Sequence, residues 1–366
     1  MITKKANLLT VVNNILFSKK LPVSIVHFLT NRCNARCSFC FIDFENENTF
    51  KGELTLNEIE ALTKTFGNSL LNVNLTGGEP FARKDITDIA KAYIKNTTIQ
   101  SIYITTNASL PERVEKFARE IIDFDSFINL TFQISIDDFP EKHNKVRKIK
   151  NLFESCIETY RKLSNISDRV SPIVSVTVSE ENCDDIKNIF FYLVEDCKIN
   201  ALKCTIVRDE GVYKTTPIKK QKIFEAYRWL TKQIKEYSKI GKLKNYNKND
   251  LQGKLHNKKD QISWKLTEKM YLEPKFISPC HAGSLFGIIT ANGMVYPCEI
   301  LENKLLGSLR DHKMNFNEIW KSKKTKDVKN FIKKTKCNCT YECALTYNII
   351  GNWRYQPKLI SSFFDF

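Results

Sequence analysis

Thr30-Asn31-Arg32-Cys33-Asn34-Ala35-Arg36-Cys37-Ser38-Phe39-Cys40 is the stretch whose reading decides the fold. Its three cysteines stand at C-x3-C-x2-C, directly after Val23–Thr30, an apolar, β-branched run that reads as a strand. Three thiolates on one short loop hold three irons of a four-iron, four-sulfur cube and leave the fourth iron open. Thiolates are the usual cluster ligands, and an open coordination position separates a reactive metal site from a structural one. The same spacing also admits a zinc site or structural thiols. Zinc needs a fourth protein ligand, and His27 is the nearby side chain to imagine in that role.

Outward from this loop, strand and helix patterns alternate to about residue 238. Thr55–Gly67 reads as a helix, with Leu56, Ile59, Leu62, Thr63 and Phe66 at helical spacing and Thr55 with Glu58 as a capping box. Leu70–Thr76 is a strand ending in Gly77-Gly78-Glu79-Pro80, followed by a helix at Asp85–Lys95. Ile99–Thr105 is a strand ending in Thr106-Asn107, followed by a helix that opens on Pro111. Ile128–Ile136 is a strand ending in Asp137-Asp138, followed by a helix at Arg147–Leu163. Ile173–Val178 and Ile199–Val207 are further strands, with helices at Cys183–Glu195 and Lys219–Ile240. Such alternation implies parallel βαβ units. Six units fall short of the eight of a closed barrel, so the expected fold is α/β, a partial (β/α)6 TIM-like barrel open on one side. Function collects where barrel strands run into loops, and each motif above follows a strand.

C-x3-C-x-aromatic-C, with Phe39 as the aromatic, together with Gly77-Gly78-Glu79-Pro80 at the second strand end, resembles the radical SAM superfamily over roughly residues 20–240. The resemblance implies a [4Fe-4S] cluster on Cys33, Cys37 and Cys40 whose open iron chelates S-adenosylmethionine (SAM). One electron, from a donor such as flavodoxin or ferredoxin, then splits SAM into methionine and a 5′-deoxyadenosyl radical that takes a substrate hydrogen. It also implies a cofactor pocket. Phe39 lies beside the adenine, and Gly77, Gly78 and Glu79 pass backbone close to the methionine amino group, with Pro80 the last residue of that cofactor-binding motif. Thr105, Thr106 and Asn107 line the third strand end, and Ser135 and Asp137 reach the ribose or carboxylate. The segment Asp137 to Arg147 is similar to the family's Ser-x-Asp-Gly and His-Asp-x-x-Arg-Gly, with Asp138, Asn144 and Lys148 as departures. His143 and Arg147 remain, and Arg147 suits a carboxylate because a guanidinium fork binds one bidentately.

Residues 241–270, Lys- and Asn-rich at first, read as a linker between the barrel (23–240, after a lead-in at 1–22) and a second unit at 271–366. There Ala291-Asn292-Gly293 reads as a hairpin turn. Cys280-x12-Gly293-x4-Cys298, then Cys337-x-Cys339-x3-Cys343, looks like a SPASM or Twitch domain. Five cysteines rather than seven imply one auxiliary [4Fe-4S] cluster on Cys280, Cys298 and two of Cys337, Cys339 and Cys343; Cys339 and Cys343 have one-turn helical spacing. Zinc is the alternative for this unit. Cys204, in the sixth strand, is either a barrel thiol that returns hydrogen to a substrate radical or a buried core cysteine. The Phe-rich tail Ser361–Phe366 is an apolar end that docks on the barrel or on a partner.

The twelve cysteines are bunched in a 366-residue chain, which points to metal sites in a reducing compartment rather than a secreted disulfide scaffold. The expected location is cytoplasmic: no apolar run reaches ~20 residues, and the first twenty lack the pattern of a secretory signal. The net charge of +16 includes eight lysines between Lys321 and Lys336 and reads as a solvated surface. No nucleic-acid-binding motif accompanies it, so no nucleic-acid partner is expected. Superfamily members of this kind act mostly on peptides or proteins, by crosslinking, epimerising or oxidising, which is the substrate class expected here. A sugar or aminoglycoside substrate is the rival, because about twenty residues before the first strand are too few for a leader-binding domain. A non-catalytic iron–sulfur or nucleic-acid-binding protein is the remaining alternative.

Overall fold

The computed structural model describes residues 6–208, 220–244, 251–361 and 363. Helix α1 (Leu8–Asn13) leads to β1 (Ser24–Thr30), α2 (Leu56–Thr63), β2 (Asn72–Gly77), α3 (Ile86–Asn96), β3 (Ser101–Thr106), α4 (Pro111–Phe124) and β4 (Asn129–Ser135). Helices α5 (Pro140–Arg147) and α6 (Leu152–Ser164) precede β5 (Val170–Val178), α7 (Ile186–Phe191), β6 (Leu202–Ile206) and α8 (Lys220–Lys239). Then come α9 (Leu251–Tyr271), β7 (Phe286–Ile289), β8 (Met294–Tyr296), β9 (Gly307–Ser308), α10 (Phe316–Lys321), α11 (Lys323–Lys334), α12 (Glu342–Ile350) and α13 (Gln356–Ser361).

One nine-stranded sheet runs β6-β5-β4-β3-β2-β1-β7-β8-β9. Strands β1 to β6 pair in parallel, as the alternating pattern predicts. The C-terminal hairpin continues this sheet: β7 pairs in parallel with β1, from Ser24↔Phe286 to His27↔Ile289. The Asn-Gly turn is present, with Gly293 at φ 84 between the antiparallel β7 and β8. The Thr55/Glu58 capping box is present on α2.

The two faces of the barrel strands differ in chemistry. Ile102 and Ile104, Phe132 and Ile134, and Val174 and Val176 are buried in the main core beneath the helices. Each fully buried side chain of this kind contributes about 1.5–3 kcal/mol. The alternate residues, Thr105, Gln133, Ser135, Ser175, Thr177 and Thr205, are polar and face an internal cavity. Parallel strands covered on both sides usually read as continuous apolar runs. Here they alternate because their inner face is wet.

Three expectations need correction. The helix expected over Arg147–Leu163 is two helices. Lys148 and Asn151 are left-handed (φ 55 and 57), which ends α5 at Arg147 and restarts the chain as α6. Lys148 stands where the family motif has a glycine. The expected linker is also helical from Leu251 onward, while residues 245–250 lie outside the described residues. Ile262, Leu266 and Met270 on α9 pack against Leu345 and Ile349 on α12 and against Leu359 on α13. Lys203, on the inner face of the edge strand β6, faces Asp260 on α9 and Glu342 on α12. Thus α9 and α12 flank the side that six strands leave open. Finally, Cys339 precedes α12 and Cys343 lies inside it, so they share no helix. In the Phe-rich tail, residues 362 and 364–366 lie outside the described residues.

Candidate active site at the strand ends

The cysteine loop hangs on the end of β1 by backbone contacts with the Gly77-Gly78 turn. Gly78 N–H donates to the Thr30 carbonyl (2.7 Å) and Glu79 N–H to the Arg32 carbonyl (2.9 Å). A Cβ on Gly77 would lie 2.1 Å from the Thr30 oxygen, and one on Gly78 2.2 Å from the Arg32 oxygen. The two glycines therefore let two loops touch. On the other side, the Arg36 amide donates to the Arg147 carbonyl (3.1 Å), tying the loop to the end of α5.

Cys33, Cys37 and Cys40 line a cavity of about 340 Å³. The Ala35 amide donates to Cys33 Sγ (3.3 Å) and the Ile42 amide to Cys40 Sγ (3.5 Å). Asn107 Nδ2 lies 3.7 Å from Cys33 Sγ, and Arg147 Nη1 lies 3.9 Å from Cys37 Sγ. Burial pushes the free Cys33 thiol up to about 11 and also raises Cys37 and Cys40. Iron must therefore displace protons to bind. Three sulfurs on one wall, met by N–H donors and a buried cation, fit an anionic iron–sulfur cluster.

Phe39, Gly77, Gly78, Thr105, Thr106, Asn107, Ser135 and Arg147 share this cavity, as the motifs predict. The Arg147 guanidinium lies 5.7 Å from the Phe39 ring centroid. Burial works against its charge, but Asp137 and Cys37 more than offset this. Asp137 has a different part from the expected one. It is buried, accepts from Arg147 Nη2 and from the Thr177 amide (2.9 Å), and does not line the cavity. It positions Arg147 rather than facing a ligand. His143, on the same face of α5, accepts weakly from the Asp137 amide (3.4 Å).

Glu79 and Pro80 do not line the cavity either. Glu79 is buried and accepts from Thr106 Oγ1 (2.7 Å), the Asn107 amide (2.8 Å) and the Phe81 amide (3.1 Å). Burial pushes its carboxyl up to about 7, against the pull of those donors. Pro80 opens the short 3-10 turn behind it. The side chain of Glu79 thus ties the second strand end to the third. Glu79→Gln turns an amide NH2 toward one of the three donors. We expect a loss of about 1–3 kcal/mol of stability, the cost of one unsatisfied buried donor, read by denaturant unfolding.

The auxiliary cysteines divide. Cys280, Cys298, Cys337 and Cys339 lie outside the cavity wall, whereas Cys343 belongs to it, with Thr340, Tyr341 and Glu342. Of the two readings of Cys204, the structure bears out the buried core cysteine and not the barrel thiol. This cysteine pairs in register with Val176, is fully buried in the main core, and lies on the opposite face from Lys203 and Thr205. Sequence reasoning missed Gln133, Ser175, Thr177, Thr205, Arg208 and Glu342 as cavity residues. The polar member at every second strand position was the available signal for the first four. Arg208 Nη2 pairs with Glu299 Oε2 (3.1 Å), and Glu299 also accepts from the Tyr341 hydroxyl (2.5 Å). This cluster joins β6 to the hairpin unit.

Residues 28–193 match the radical SAM superfamily, and residues 280–344 match SPASM, an iron–sulfur cluster-binding domain. The chain carries a radical SAM domain and a C-terminal SPASM domain. The cofactors that go with these two domains are a SAM-binding [4Fe-4S] cluster, SAM and auxiliary iron–sulfur clustering in the second domain. The sporulation killing factor maturation protein SkfB of Bacillus subtilis is 25% identical over 297 residues, 80% of this chain and 64% of that protein. The Fe-coproporphyrin III synthase of Methanosarcina barkeri is 28% identical over 198 residues, 49% of this chain and 45% of that protein. The chain thus spans about half to two thirds of these curated relatives. The radical SAM fold is also that of anSMEcpe with bound AdoMet (TM-score 0.62, 18% identity, 94% of this chain and 92% of that one). SuiB of Streptococcus suis, bound to its precursor peptide SuiA, superimposes with a TM-score of 0.58 at 15% identity, over 85% of this chain and 67% of that one. Among the described residues no helix is long and apolar enough to cross a membrane.

Proposed function

We propose that this radical SAM enzyme modifies a peptide or protein by abstracting a hydrogen atom from it and, through the SPASM domain, oxidising, crosslinking or epimerising the residue attacked. The observation that carries this reading is the shared cavity. The cluster-loop cysteines form one wall, and Thr340 to Cys343 of the SPASM domain belong to the same enclosure. A substrate seated there faces the SAM-cluster loop and the SPASM domain together. The similarity to SkfB, a maturation protein, and to SuiB with its precursor peptide supports a peptide over a sugar.

When bound, the cluster and SAM supply hydrogen-atom abstraction, and the chain supplies placement and exclusion of water. Phe39 offers an apolar face to the adenine. Backbone at Gly77 and Gly78 meets the amino group of the methionine moiety, with Thr105 and Asn107 beside it. Ser135 reaches the ribose. Arg147, held by Asp137, takes the carboxylate. A charge-assisted pair of this kind contributes about 1.5–3 kcal/mol. Arg147→Lys loses the fork, so we expect SAM to half-saturate at about tenfold or higher concentration, read by anaerobic equilibrium binding. A flavodoxin or ferredoxin in a reducing cytoplasm is the matching electron donor.

The test is a deuterium trace. The loaded, dithionite-reduced enzyme is incubated with SAM and perdeuterated candidate peptides or sugars. Deuterium appearing in 5′-deoxyadenosine from a peptide supports the reading; deuterium from a sugar alone overturns the peptide assignment.

A further inference from the structure

The five cysteines of the SPASM domain do not occupy equivalent surroundings. Cys280 and Cys337 are hydrogen-bond neighbours, Cys339 lies within electrostatic reach of Cys280, and Cys337 within that of Cys298. Cys298 is buried in the main core. The Ala282 amide hydrogen-bonds the Cys280 sulfur, and the Leu301 and Ile300 amides that of Cys298. The same near-neighbour amide-to-sulfur contact recurs in the SAM-cluster loop, at Cys33 from Ala35 and at Cys40 from Ile42. Amide donors aimed at a sulfur suit a thiolate that carries iron.

Cys343 differs from Cys280 and Cys298 in its surroundings. It sits in the first turn of α12, where the amide two residues on, that of Leu345, donates to the Tyr341 carbonyl (3.0 Å). Its sulfur meets side chains instead: Asn74 Nδ2 of β2 at 4.0 Å, and Tyr341. It packs against Val26, Phe28 and Ile288, the inner-face residues at the β1–β7 junction. It lines the reaction cavity, and the other four do not.

We infer that the auxiliary cluster is held by Cys280, Cys298, Cys337 and Cys339, and that Cys343 is a free thiol in the wall of the substrate cavity. A substrate in the cavity then meets a thiol, with Asn74 and Glu342 beside it, where a cluster ligand would have presented an iron-bound sulfur. The inference rests on an auxiliary cluster being present and is independent of the substrate class.

The full chain is reconstituted anaerobically with iron and sulfide, as parent, Cys339→Ser and Cys343→Ser. Cys343→Ser is expected to keep the parent's iron content and visible absorption, and Cys339→Ser to lose the auxiliary share, half the total if both clusters are cubanes. Loss of iron from Cys343→Ser, or its retention in Cys339→Ser, overturns the assignment. A second readout needs no variant. The loaded parent chain, without SAM, is treated with iodoacetamide and mapped by mass spectrometry. Cys343 is expected to be alkylated while Cys280, Cys298, Cys337 and Cys339 are protected until the iron is chelated. An unlabelled Cys343 overturns the inference. None of these readouts depends on finding the substrate, so their failure leaves the peptide reading separately testable.

Discussion

Cys37→Ala is expected to remove the SAM-binding cluster and, with it, all formation of 5′-deoxyadenosine, while the auxiliary cluster's iron stays. Three thiols of one loop line the cavity: Cys156 is fully buried behind the wall, with its Sγ on the Asn107 carbonyl (3.2 Å), and the cavity's other thiol, Cys343, belongs to the SPASM domain and not to this loop. Cys37 Sγ lies 3.9 Å from Arg147, so its loss takes from that buried guanidinium one of the groups, with Asp137 and Cys156, that favour its charge. Two ligands hold a cubane poorly, because a missing thiolate exposes a second iron. Iron analysis should give half the parent's content if both clusters are cubanes. Chromatography after dithionite reduction should show SAM intact.

Gly77→Ala is the second large effect. The residue combines φ 135, a backbone state that L side chains rarely adopt, with a Cβ position 2.1 Å from the Thr30 oxygen and 3.1 Å from the Thr30 nitrogen. The obstacle is backbone at the end of β1, which cannot rotate away as a side chain does. Relief requires the Gly78-to-Thr30 hydrogen bond to open, and this bond seats the cysteine loop. Overpacking typically costs about 1–3 kcal/mol, and left-handed strain adds about 1–2 kcal/mol. We expect a clear fall in unfolding midpoint and weak reconstitution of the SAM-binding cluster. Auxiliary iron should be spared, because Cys280, Cys298, Cys337 and Cys339 lie outside the cavity that the turn lines.

The order of the barrel strands and the rim position of the motifs were legible because each strand ends in a residue pattern with a local cause. The Asn292-Gly293 turn and the Thr55/Glu58 box were legible for the same reason. Features fixed by distant partners were not. The α9 helix has Lys and Asn between its apolar positions, and only α12 and α13 across the interface show which side is buried. Arg147 closes a helix because Lys148 turns left-handed, and nothing in the composition of that segment requires it. The side taken by Cys204 follows from register: it pairs with Val176 on the helix face, and Thr205 pairs with Thr177 on the cavity face. The alternation of Gln133, Ser135, Ser175 and Thr177, read as an inner wall, decides between the two readings of Cys204 in favour of the core.

Within the site, the cysteine loop and Arg147 were identified from spacing and motif, whereas Asp137 was given a ligand-facing part and Glu79 a part for its backbone only. Both are held by protein donors instead: Asp137 by Arg147 and the Thr177 amide, Glu79 by Thr106, Asn107 and Phe81. A carboxylate in a strand-end motif reads the same in sequence whether it meets a ligand or braces a loop.

The most direct test of SAM bound against the Cys33–Cys40 loop is a single anaerobic reaction of the iron-loaded chain with dithionite and SAM, analysed for nucleosides. Formation of 5′-deoxyadenosine together with methionine, lost in Cys37→Ala, is the expected result. Intact SAM from a chain carrying its full iron content would contradict it.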